Sequence, residues 1–119
     1  MNILVVCHWG RNRSKYVAEY LRTKGYATDF AGILDETENQ VTPTRMRWAE
    51  KILVVEPSIA KELKRQFPEE KNKIVSINVD DRTARPGVAG LTGDEWTRHQ
   101  EEVVYPNLLQ AVDRLLPFR

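Results

Sequence analysis

The chain has 119 residues, enough to build one hydrophobic core, so a single domain spanning residues 1–119 is expected. A formal charge of +1 gives no basic surplus for nucleic acid, and no apolar run approaches the roughly 20 residues that cross a bilayer. The one cysteine, Cys7, forms no intramolecular disulfide and no thiolate-rich zinc site, so a reducing cytoplasm and no metal are expected. The opening residues Met1–Val6 are too short, and lack the basic start, for a secretory signal.

In chain order, Asn2 to Val6 is a continuous apolar run ending at Cys7, the pattern of a strand buried on both faces. Ser14 to Lys24 reads as a helix, with Tyr16, Val17, Tyr20 and Leu21 on its apolar face and Gly25 as the stop. Tyr26 to Ala31 is a short strand. Gly32 to Val41, with Asp35, Glu36 and Glu38, reads as a surface loop. Thr42-Pro43 has the form of an N-cap followed by proline at the first helical position, opening a helix through Trp48 and Glu50.

Lys51 to Val55 is the next buried strand. Pro57 opens a helix with Ile59, Leu63 and Phe67 at four-residue spacing, and Pro68 closes it. Lys73 to Val79 alternates, placing Val75, Ile77 and Val79 on one face of a last strand. Asp80 to Gly93 is the longest loop. Asp94 to Leu116 is helical but interrupted near Pro106, with Leu108, Leu109, Val112, Leu115 and Leu116 on an apolar stripe. Strands alternating with helices predict an α/β fold, an open parallel sheet with helices on both faces. Ligands then bind at the carboxyl ends of the strands, where Cys7 stands.

The segment between the first strand and the first helix is Cys7-His8-Trp9-Gly10-Arg11-Asn12-Arg13-Ser14. Five residues separate the cysteine from Arg-Ser. A loop of this length entering a helix turns its backbone N–H groups inward as an anion cradle. The helix N-terminus favours both a thiolate and a bound phosphate. Arg13 is suited to grip phosphate oxygens with its planar fork. Ser14 is placed to donate its hydroxyl to the sulfur when the thiolate leaves. Gly10 supplies the positive φ that a tight loop requires. His8 lines the loop without acting as a base, and the offset of Arg11 from Cys7 suits solvation better than catalysis.

These residues resemble the Cys-x5-Arg-Ser/Thr signature of cysteine-based tyrosine phosphatases. The position of the signature, directly after the first strand, is similar to the low-molecular-weight protein tyrosine phosphatase family. Trp48 to Val55 also resembles that family's helix-to-strand segment. The resemblance implies a four-stranded parallel sheet in the order 2-1-3-4, and no metal or organic cofactor. It implies a phosphotyrosine-type substrate, carried on a phosphorylated protein or a small phosphate ester. The chain departs from the family at Trp9 (usually Gly), Gly10 (usually Asn), Asn12 (usually a second cysteine) and Lys15 (usually proline).

A phosphomonoester leaving group needs a proton, normally from a carboxylic acid. The resemblance places that acid just after the fourth strand, where Asp80 and Asp81 stand, with Asp80 the better match. Three other activities use related loops. Arsenate reduction would here need an external thiol, because the chain offers no relay cysteines. A sugar-phosphotransferase carrier lacks the arginine found at Arg13. A phosphate- or phosphopeptide-binding module without turnover is the non-enzymatic reading.

Overall fold

The computed structural model describes residues 1–8, 10, 13–34, 38–77, 98 and 105–117. The chain divides into two compact units, Met1–Asn78 and Val79–Arg119. The first contains β1 (Asn2–Cys7), α1 (Arg13–Thr23), β2 (Ala27–Gly32), α2 (Pro43–Trp48), β3 (Lys51–Val54), α3 (Pro57–Gln66), a 3-10 helix (Pro68–Lys73) and β4 (Ile74–Ser76). The second contains α4 (Tyr105–Asp113).

The four strands form one parallel sheet in the order β2-β1-β3-β4. This is the order that the resemblance implies. In β1, Ile3, Leu4, Val5 and Val6 are all fully buried. Successive strand residues face opposite ways, so both faces of the sheet are covered there. Removing each of these side chains from water contributes about 1.5–3 kcal/mol. Ile52, Leu53 and Val54 repeat the pattern in β3. Helix α1 packs against β1 and β2, and α3 against β3 and β4.

Several boundaries differ from expectation. The buried face of α1 is Ser14, Val17, Ala18 and Leu21, while Tyr16 and Tyr20 are only half-buried beside it. Gly25 ends that segment with φ +95°. Thr42 caps α2 as expected, its Oγ1 accepting from Arg45 N at 3.1 Å. The helix stops at Trp48, however, because Ala49 turns to extended backbone at φ −76°, ψ 138°. Glu50 is therefore not helical; its Oε1 accepts from Asn2 N at 3.2 Å. After Pro68 the chain forms a 3-10 helix that the sequence pattern did not indicate.

β4 has only three residues, of which Ile74 is buried and Val75 half-buried; Ile77, just past its end, is buried too, and Val79 lies outside the described residues. As the outer partner of β3, β4 is covered unevenly, which breaks the expected alternation. The 32–41 segment is more ordered than a surface loop at both its ends, since Gly32 closes β2 and Gln40 bridges back to it. In α4, Pro106 lies in the first turn, where its missing N–H costs no helical bond. Leu108 and Val112 are its buried residues; Leu109, Leu115 and Leu116 are half-buried, the last two beyond the helix end. The expected loop from Asp80 to Gly93 lies outside the described residues. Among the described residues, no helix is long and apolar enough to cross a membrane.

Candidate active site

The sheet order places a topological switch between β1 and β3. The chain leaves β1 for β2 on one side, then crosses back to β3 on the other. In open parallel sheets ligands bind beside such a switch, at the carboxyl ends of the strands. Cys7 is the last residue of β1, and Glu56 follows the end of β3 at Val54.

Cys7 is 3 % exposed. Gly10 N–H donates to its Sγ at 3.1 Å, and Ser14 Oγ lies 3.1 Å from the same sulfur. Ser14, fully buried, owes its position to the first turn of α1. One backbone N–H and one hydroxyl thus converge on the sulfur, each within hydrogen-bond reach of it. Among the described residues no group of acids, histidines or cysteines is arranged to hold a metal ion.

Arg13 opens α1, an unfavourable place for a cation because the helix N-terminus is itself partly positive. It is held there from outside the helix. Its Nη1 donates to Glu56 Oε1 at 2.8 Å, and its Nη2 lies 3.3 Å from His8 Nδ1. Glu56 is 2 % exposed and also accepts from Ser58 Oγ at 3.3 Å. A carboxylate so deeply buried is stable only when paired, and removing one partner of such a pair typically costs about 3–5 kcal/mol. The first turn of α1 carries Arg13 and Lys15 and no acid, so an anion at this helix end gains from dipole and side chains together.

Gly10 has φ +69°, and a Cβ built on it would sit 2.4 Å from Gly32 N and 2.6 Å from Ala31 C. The loop backbone thus lies directly on the end of β2, an approach that only glycine permits. The residues leaving β1 keep the sheet's pairing for one more step, since Ile33 N donates to Cys7 O at 3.0 Å and Leu34 N to His8 O at 3.1 Å.

Of the residues singled out in the sequence, the structure brings Cys7, His8, Gly10, Arg13 and Ser14 together. Trp9, Arg11 and Asn12 lie outside the described residues, as do Asp80 and Asp81. Sequence reasoning missed Glu56 and Asn39. The signal for Glu56 was an acid directly after a buried central strand. Asn39 has no local signal, because its partners are set by the fold: its Nδ2 donates to Gly10 O at 3.2 Å and to Phe30 O at 2.6 Å.

No protein-family model matches the chain, and no curated protein matches its sequence. Solved structures do match. The low-molecular-weight protein tyrosine phosphatase SP-PTP from Streptococcus pyogenes is similar at TM-score 0.72 and 14 % identity, over 99 % of this chain and 93 % of that one. The tyrosine phosphatase Wzb from Escherichia coli K30, solved with phosphate, is similar at TM-score 0.70 and 21 % identity, over 95 % and 94 % of the two chains. A variant of the arginine phosphatase YwlE with a phosphorylated active-site serine is similar at TM-score 0.71 and 16 % identity, over 100 % and 98 %. The chain has the fold of the low-molecular-weight protein tyrosine phosphatases.

Proposed function

We propose that this protein is a phosphatase that hydrolyses aryl phosphate monoesters, phosphotyrosine foremost, through a phosphocysteine formed on Cys7. The observation that carries the reading is the convergence of Gly10 N–H and Ser14 Oγ on Cys7 Sγ, at the end of β1 and beside Arg13 at the start of α1. The structural neighbours support it, since they are named as tyrosine or arginine phosphatases and one carries its phosphoryl group on an active-site serine.

In the first step the Cys7 thiolate attacks phosphorus in line with the ester oxygen. The S–P bond forms, the P–O bond breaks, and the leaving phenoxide takes a proton from a carboxylic acid. Arg13 and the loop N–H groups stabilise charge on the transferring phosphoryl oxygens. In the second step water attacks phosphorus and gives its proton to the same carboxylate. The S–P bond breaks, and Ser14 donates to the departing thiolate. Inorganic phosphate leaves and the starting enzyme is restored. Asp80, with Asp81 as its alternative, is our choice of acid. It rests on sequence position, since both lie outside the described residues.

The reading needs no metal or organic cofactor. Its substrate is a phosphorylated protein or a small phosphate ester, and its compartment the reducing cytoplasm that keeps Cys7 a thiol. The test is hydrolysis of p-nitrophenyl phosphate by the wild type beside Cys7→Ser and Asp80→Asn. Turnover abolished in the first variant and strongly reduced in the second supports the mechanism and its acid. Phosphate binding by a wild type without turnover would instead favour a binding module, or arsenate reduction with an external thiol.

A further inference from the structure

The loop that carries Cys7 is fastened on its outer side by a polar knot that the two-step chemistry does not use. Gly10 sends its N–H to Cys7 Sγ, while its carbonyl oxygen accepts from Asn39 Nδ2 at 3.2 Å. The same Nδ2 donates to Phe30 O at 2.6 Å, so the amide bridges the loop to β2. Asn39 is itself fixed twice. Its backbone carbonyl accepts from Gly32 N at 2.8 Å, and its Oδ1 accepts from Arg45 Nη1 of α2. Arg45 is in turn steered by Asp29, whose Oδ2 lies 3.6 Å from Arg45 Nε.

Packing does not do this work alone. A pocket of about 410 Å³, lined by Gly10, Lys15, Asp29, Phe30 and Asn39, borders the knot. With no side chain of its own to pack, Gly10 depends on these hydrogen bonds to fix its carbonyl. A carbonyl swung toward the sulfur would set its negative end against both thiolate and phosphate, and would carry the N–H groups of the loop out of register.

We infer that Asn39 is a positioning residue for the phosphate-binding loop: its side-chain amide, oriented by Arg45, holds the Gly10 carbonyl away from Cys7 so that the Gly10 N–H stays on the sulfur. The inference deepens the phosphocysteine reading and rests on it for its functional consequence. The geometry also specifies which end of the amide matters. The donor Nδ2 faces two carbonyls, whereas the acceptor Oδ1 faces a guanidinium. Aspartate therefore keeps the Arg45 partner and loses the hold on Gly10.

The experiment compares wild type, Asn39→Asp, Asn39→Ala and Arg45→Met by the dissociation constant for inorganic phosphate, by melting temperature without phosphate, and by hydrogen exchange at the Gly10 amide. A net hydrogen bond contributes about 0.5–1.5 kcal/mol, so losing the Gly10 tie should weaken phosphate binding about two- to twelvefold. The expected result is that weakening in both Asn39 variants, a smaller one in Arg45→Met, and faster Gly10 exchange. In Asn39→Asp the melting temperature should fall modestly as well, because the hydrogen bond to Phe30 O is lost with the one to Gly10, while phosphate affinity and Gly10 exchange report the positioning role itself. Wild-type phosphate affinity and Gly10 protection in a folded Asn39→Asp would overturn the inference, as would a lower melting temperature with both readouts unchanged. Should neither Asn39 variant fold, Arg45→Met decides on the same two readouts. A wild type that binds no phosphate contradicts the phosphocysteine reading instead, and Gly10 exchange then tests the positioning role on its own.

Discussion

Replacing Gly10 with alanine should damage both stability and activity, and by more than backbone conformation alone accounts for. At φ +69° an alanine pays about 1–2 kcal/mol for the left-handed conformation. The new Cβ must also gain about 1 Å of clearance from Gly32 N, which lies 2.4 Å from its ideal position, before ordinary van der Waals contact is reached. That neighbour is backbone paired with Cys7 in the sheet, so it yields only by moving β2 or the loop. Overpacking of this kind costs about 1–3 kcal/mol. The two contributions sum to about 2–5 kcal/mol, partly offset by about 0.4–1 kcal/mol from stiffening the unfolded chain. Gly25→Ala is the control, because Gly25 has φ +95° but nothing within 4 Å of the added Cβ. It bears the conformational cost without the collision. Urea denaturation of both variants should therefore show Gly10→Ala about 1–3 kcal/mol less stable than Gly25→Ala. Turnover should fall by about 10²-fold only in the former, as expected for a loop displaced by about 1 Å. Equal stability of the two variants, with full turnover in Gly10→Ala, would refute the close approach of loop and strand on which the site geometry depends.

The remaining predictions concern other groups. Glu56→Gln keeps the shape but removes the negative charge that accepts from Arg13 Nη1, so stability should drop by about 1.5–3 kcal/mol on denaturation and kcat should fall more than KM changes. An unchanged kcat would remove Glu56 from the positioning of Arg13. Ser14→Ala should slow breakdown of the phosphoenzyme more than its formation, giving a burst of p-nitrophenol under rapid mixing; a uniform slowing of both phases would count against a role in thiolate departure. Hydrogen peroxide should carry Cys7 to the sulfinic acid, visible by intact mass as irreversible loss of activity, because the chain has no second cysteine to trap the sulfenic acid. Full recovery with thiol after prolonged exposure would contradict this. At the surface, hydrogen bonds from Arg65 and then Gln66 hold the Glu62 carboxyl at about 2, below its ordinary 4.5. A lowered value in the folded state means stability present above pH 4.5 and lost as pH falls toward 2. The stability difference between wild type and Glu62→Gln should shrink over that window, and a constant difference would refute the assignment.

How much of this was legible beforehand depended on whether the cause was local. β1 and β3 were readable because strands buried on both faces carry unbroken apolar runs, and the loop was readable because its whole chemistry sits within eight consecutive residues. The end of α2 was not, since Ala49 is a good helix former and leaves the helix only because the chain must enter β3 at Lys51. Tyr16 and Tyr20 looked like the core face of α1, but the helix turns Ser14 and Ala18 inward, as the sulfur site at its start requires. Glu56 lies 43 residues from Arg13, and Asn39 lies 29 from Gly10. Neither pairing has a spacing rule in one dimension; both appear only when the switch between β1 and β3, and the return of the 38–41 segment to β2, bring them together.

The central claim is a covalent phosphoryl group on Cys7, and acid quenching during turnover of p-nitrophenyl phosphate tests it most directly. The account predicts a peptide containing Cys7 that gains the mass of one phosphoryl group, enriched in Ser14→Ala and absent from Cys7→Ala. Steady turnover in Cys7→Ala, or a phosphoryl group found on another residue, would contradict it.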